Sequence, residues 1–151
     1  MLRIFMQWLH VTSVIAAIGG VTFIVLVLAP ASAAIAPQEA GTLMAAVGGR
    51  FRIMVWLAIA GLSVSGIYMA LTQTPLRAWH DLVATTYGKL LFVKIVLGVI
   101  IATISLSLTL PLHFLAGVQA RMLGLLWVNF FLAIVVIAIA TRLRRGATGG
   151  A

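Results

Sequence analysis

The sequence predicts an all-α membrane protein, a four-transmembrane-helix bundle forming a single membrane domain over residues 1–151. Three observations carry this. Of the 151 residues, 64% are hydrophobic and only 8% are charged, against roughly 25% charged in an ordinary soluble domain. The mean hydropathy is +1.23, which leaves more apolar surface than a soluble fold of this size can hide. The apolar residues also gather in four runs of about 20 residues or more, the length that crosses roughly 30 Å of hydrocarbon.

The first span is predicted over about residues 4–29. Arg3 precedes it and Ala31-Ser32-Ala33 resembles a cleavage site. The apolar stretch is about twice the core of a signal peptide, so it is read as a retained helix. The second span covers about 51–71, behind Arg50 and Arg52. The third covers about 87–110 and is stopped by Pro111, whose missing N–H and fixed φ cannot continue a helix. The fourth covers about 122–141, and 142–151 reads as a flexible Gly/Ala tail. No run alternates polar and apolar residues, so a β-barrel is not expected. In the first connection Gln38 to Val47 is predicted as a short interfacial helix. The second connection holds Pro75, Arg77, Trp79, His80 and Asp81. The third holds His113, read as a loop residue. Trp8, Trp56, Trp79 and Trp127 fall near span ends, where an aromatic belt is expected.

Net charge is +8, yet the basic residues stand in ones and twos at the ends of apolar runs. No Lys/Arg stripe with interleaved aromatics exists, so nucleic acid is not an expected partner. The lipid bilayer is, and each headgroup-level cation contributes roughly 1 kcal/mol of attraction to an anionic leaflet. Arg3, Arg77, Lys89, Arg142, Arg144 and Arg145 share the face of both termini, whereas Arg50, Arg52 and Arg121 lie on the other. The bias predicts cytoplasmic termini. The chain has no cysteine, which excludes disulfides and thiolate metal sites. Its only carboxylates, Glu39 and Asp81, are predicted in loops, which argues against hydrolytic chemistry.

Two residues that can carry positive charge, Lys94 and His10, stand well inside apolar runs. Lys94 sits in the third span, where a charge costs roughly 2.5–3.5 kcal/mol at a helix centre and therefore faces protein or a wet cavity. His10 sits in the first. On span one Arg3, Gln7, His10, Ser13, Ala17 and Gly20 recur in steps of three and four and form one face. Tyr87, Lys94, Gly98, Ala102, Ser105 and Thr109 do so on span three, and Ala60, Ser63, Gly66 and Ala70 on span two. Small residues let membrane helices approach, and hydroxyls add interhelical hydrogen bonds. His10 and Lys94 each lie roughly 10 Å into spans that start on the same side. The prediction is one shared layer with a pocket between spans one and three, and His80 and Tyr87 at its mouth. The simpler alternatives are a snorkelling Lys94 and a His10 that only bonds a neighbouring helix. Asn129 on span four is read as interhelical glue.

A neutral imidazole binds copper or haem iron, and a thioether suits Cu(I). Met6 and His10 are four residues apart on one face, which offers a sparse metal site. As a haem site His10 would need His80, Lys94, a partner subunit or an open position as the second ligand.

Three motifs in order resemble the small copper-resistance D (CopD) family of membrane proteins. They are Leu9-His10 with Gly19-Gly20, Phe23 and Pro30; Arg50-Phe51-Arg52 leading to Ser65-Gly66-Ile67-Tyr68; and Tyr87-Gly88-Lys89-Leu90-Leu91-Phe92-Val93-Lys94. The last is similar to the family's Pro-Tyr-Gly-x-Leu-Leu-x-x-Lys pattern, with Thr86 in the place of the Pro. The resemblance covers about residues 8–110, and the last helix carries none of it. It implies copper tolerance or uptake at the bacterial inner (cytoplasmic) membrane. The pairing of a first-helix His with a third-helix Lys also resembles the HemJ-type protoporphyrinogen oxidases. That implies haem b or a porphyrin on His10, with Lys94 near a propionate or the iron. The expected function is therefore copper or haem binding for copper handling or electron transfer. The alternatives are a porphyrinogen or quinol oxidase and a cofactor-free subunit beside a membrane or redox protein partner.

Overall fold

The computed structural model describes residues 1–73, 84–110 and 121–148. Four helices in it are long and apolar enough to cross a membrane, and no strand occurs among the described residues. The protein is thus an all-α membrane protein with four spans. Helix α1 runs over Leu2–Ser32, α2 over Pro37–Gln73, α3 over Thr86–Thr109 and α4 over Met122–Thr148. They pack as two hairpins. α1 lies mainly on α2 and α3 mainly on α4, with lesser contacts joining α1 to α4 and α2 to α3.

Pro30 explains the one irregularity of α1. It has no N–H to donate and its ring crowds the carbonyl four residues earlier. The helix relieves this by widening just before it: Ile24–Leu28 is a π turn, and the Ala29 N–H bonds the Ile24 carbonyl five residues back. Ile24, Val25 and Leu28 from this turn pack with Leu126 of α4 to make the largest apolar core, flanked by Val21, Met44, Val47, Phe51, Leu108 and Met122. The widened turn therefore sits where the two hairpins meet.

The structure corrects the predicted interfacial helix at Gln38–Val47. That segment is the first part of α2, continuous with the span, and Met44 and Val47 pack beside the end of α1. Gly48 and Gly49 weaken a helix by about 1 kcal/mol each but do not stop it, and no proline interrupts 38–73. The apolar end of α1, four residues away in sequence, supplies the partner. Glu39 accordingly lies in the first turn of α2 rather than in a loop. At the other end, α4 runs past residue 141 to Thr148 and buries Leu143.

α1 and α2 stay in antiparallel register for their whole length. His10 stands opposite Ser65, Ser13 opposite Gly61, and Gly20 opposite Phe51 and Met54. A Cβ at Gly61 would collide with the Ser13 hydroxyl, and one at Gly20 with Met54 and Phe51. At these two glycines a side chain of the other helix takes the room a Cβ would need. The α1 stripe predicted from Arg3, Gln7, His10, Ser13, Ala17 and Gly20 is packed from His10 onward, whereas Arg3 and Gln7 are exposed. Of the predicted α2 stripe, Gly66 lies beside the His10 ring but Ala60, Ser63 and Ala70 are exposed, and the buried residues are instead Val55, Ala58, Gly61 and Ser65. Small residues occur on several faces of this helix, so their spacing alone does not select the one that meets α1.

Candidate functional site

The α3 N-terminus is set by Thr85, whose hydroxyl accepts from the Gly88 N–H at 2.9 Å. Thr86 is then the first helical residue. This is a position that favours proline, because its N–H would go unused anyway. The Thr in the place of the motif's Pro therefore leaves the helix start intact. Gly88 is buried and Tyr87 and Lys94 are half-buried. Lys94 lies eight residues beyond Thr86, about 12 Å along the axis.

His10 lies eight residues beyond Leu2, also about 12 Å along its helix, and is half-buried. Its Nδ1 is 3.0 Å from the Ser65 hydroxyl. Ser65 is fully buried, and its own hydrogen is directed at the Gly61 carbonyl one turn back. A hydroxyl has one hydrogen. With it spent on Gly61, Ser65 accepts, and the imidazole donates from Nδ1. The neutral ring in that tautomer carries its lone pair on Nε2, the atom that a metal would take. The Cε1 edge of the ring lies 3.8 Å from where a Gly66 Cβ would be, so Nδ1 and Cε1 face α2.

Lys94 is close enough for its charge to act on the His10 ring. The expected pocket directly between spans one and three is modified, since α2 covers the face of α1 that holds His10 and Ser13. Met6 is half-buried one turn before His10. His80 and His113 lie outside the described residues. Among the described residues no group of three or more His, Cys, Asp or Glu side chains gathers as a metal cluster. A site here is accordingly sparse: one imidazole nitrogen, one thioether on the same face, and one nearby ammonium.

Three interhelical contacts were not assigned by sequence, although Ser13 and Ser105 stand in the predicted stripes. Ser65 carries the resemblance motif but no signal of its role, because a serine in an apolar helix looks the same whether it bonds its own backbone or a neighbour. The Ser13–Gly61 contact follows only from the register of two helices. The third is Ser105, whose hydroxyl accepts from Asn129 Nδ2 at 2.8 Å. It joins α3 to α4 as glue, the role expected of Asn129.

Comparison with curated proteins and with solved structures finds no match. The family described as copper resistance protein D (CopD) matches residues 45–143, more than half of the chain. The match includes Lys94 and Tyr87 and runs through most of α4, which lies outside the three motifs that carry the resemblance. It begins after α1, so Met6 and His10 lie outside it. The chain belongs to the CopD family.

Proposed function

We propose that this protein handles copper within the membrane, taking the ion as cargo on His10 with Met6 as thioether donor. The observation that carries the reading is the hydrogen-bond chain from His10 through Ser65 to Gly61. It fixes the ring as an Nδ1–H donor and leaves Nε2 as a ligand. An imidazole nitrogen and a thioether suit Cu(I), whose ligand preference is soft and whose coordination number is low. His80 is the candidate third donor, and Tyr87 borders the same end of the fold. Family membership supports copper as the metal, and the charge bias supports an inner-membrane protein with cytoplasmic termini.

A second reading has its own observation. Lys94 is a half-buried cation within a membrane-spanning helix, and an ammonium beside a bare metal cation is unfavourable. It complements an anionic group instead. A b-type haem with His10 as axial ligand and Lys94 beside a propionate answers both residues, and electron transfer is then the function.

Purified protein distinguishes the two. Stoichiometric copper by elemental analysis, lost in His10→Ala and lowered in Met6→Leu, supports the first. A Soret band that disappears in His10→Ala and weakens in Lys94→Gln supports the second. Copper binding and spectrum both unchanged in His10→Ala would remove His10 from the site.

A further inference from the structure

At the end of the fold opposite His10, a cavity of about 420 Å³ opens between the end of α1, the first half of α2, the end of α3 and the start of α4. Its volume is within the range of small-ligand sites. Ile24, Leu28, Phe51, Leu108, Met122 and Leu126 make its apolar wall, and Arg52 is the one charged residue among the described residues of its lining. Ile24 and Leu28 both belong to the π turn, so the widening forced by Pro30 shapes this wall.

Two features point to the ligand. From Arg52 to Gln73, α2 rises about 31 Å, the thickness of a hydrocarbon core, which puts Arg52 at headgroup level. The cavity is also electrostatically one-sided. Arg50 and Arg121 adjoin lining residues in the chain, while Glu39 lies thirteen residues before Arg52, about 20 Å away along the same helix. A guanidinium at this depth, with no carboxylate beside it among the described residues, matches the fork geometry of a phosphate. An apolar wall beside it is useless to a free phosphate and suits an acyl chain.

We propose that this cavity binds one anionic phospholipid, with Arg52 on the headgroup phosphate and an acyl chain along the wall made by Ile24, Leu28 and Leu126. The site is remote from His10 and independent of what His10 binds.

The test uses full-length protein in mild detergent, read by native mass spectrometry during titration with phosphatidylglycerol, phosphatidylcholine of the same chains, or inorganic phosphate. One phosphatidylglycerol is retained per chain, in preference to phosphatidylcholine, and inorganic phosphate does not displace it. Arg52→Gln lowers that preference by about tenfold, as expected for one charge-assisted contact, and Arg52→Lys keeps most of it. Ala45→Trp, placed on the cavity lining without a change of charge, lowers retention of both lipids. His10→Ala leaves the preference as it was. Equal retention of the two lipids by the parent protein overturns the proposal. So does an unchanged preference in Arg52→Gln, or full lipid retention in an Ala45→Trp protein that elutes as a single folded species.

Discussion

Between α1 and α2, the His10 ring donates to Ser65 and Ser65 donates to Gly61, so each hydrogen in the chain meets an acceptor. Between α3 and α4, Asn129 donates to Ser105, yet its buried Oδ1 has no partner among the described residues. Turning the amide over would only exchange the two ends and leave an NH₂ unpartnered instead. Both interfaces use polar side chains as membrane glue, but they leave different atoms over. The first leaves Nε2 on a ring that is only half-buried, where the proposed ligand would bind. The second leaves an amide end on a residue that is 3% exposed, which a ligand cannot reach without opening the helix pair. Polarity inside a membrane protein thus marks a binding site only where the unused atom is accessible.

The largest effect expected from breaking this contrast is steric. A Cβ at Gly61 meets the Ser13 hydroxyl and lies 3.5 Å from Leu9 Cδ1, whereas one at Gly98 on α3 meets nothing within 4 Å. Gly61→Leu should cost about 1–3 kcal/mol or more through overpacking and should also displace the Ser65 layer. Gly98→Leu should be neutral or slightly favourable, since it adds helix propensity on an open face. Thermal unfolding in detergent compares the two. Equal losses would mean that α1 does not take the room beside Gly61.

The next effect is chemical. Ser65→Ala leaves the His10 Nδ1–H without its acceptor and frees the ring to change tautomer. Groups that orient a metal-binding histidine are typically worth 10- to 100-fold in metal affinity, and an interhelical hydrogen bond averages about 0.6 kcal/mol of stability. Ser65→Ala should therefore weaken copper or haem retention by at least tenfold while lowering stability only slightly. Ser65→Thr, which keeps the hydroxyl, should restore much of the retention. Loss of stability and of binding in equal proportion would reduce Ser65 to a packing residue.

The parts of this fold that were legible in the sequence depend on one helix at a time. Span lengths follow from apolar runs, and the α1 face follows from the spacing of His10, Ser13 and Gly20. What was not legible depends on how two helices meet. The α2 face predicted from Ala60, Ser63, Gly66 and Ala70 meets α1 only at Gly66, because small residues recur on more than one side of that helix. The continuity of α2 through Gly48 and Gly49 depends on the end of α1 lying beside it. The π turn was foreshadowed by Pro30, but its consequence, a cavity wall shared with α4, needs the neighbouring hairpin in place.

The smallest expected effect tests the other half of the contrast. Asn129→Leu removes one interhelical hydrogen bond, which averages about 0.6 kcal/mol in membrane proteins. It also removes a buried amide end whose lack of a partner costs about 1–3 kcal/mol. The two oppose each other, and the second is the larger, so the variant should be as stable as the parent or somewhat more so. The Ser105 hydroxyl left behind can turn to a carbonyl one turn back in its own helix, as Thr103, Ser107 and Thr109 do on α3. Copper or haem retention should not change, because Ser105, the partner of Asn129, lies eleven residues beyond Lys94, about 16 Å along α3. Unfolding and loading measured on the same preparation check both statements. A stability loss above about 1 kcal/mol would show that the amide end is satisfied after all. Asn129 would then be as fully bonded as the His10–Ser65 pair, and the two interfaces would obey one rule.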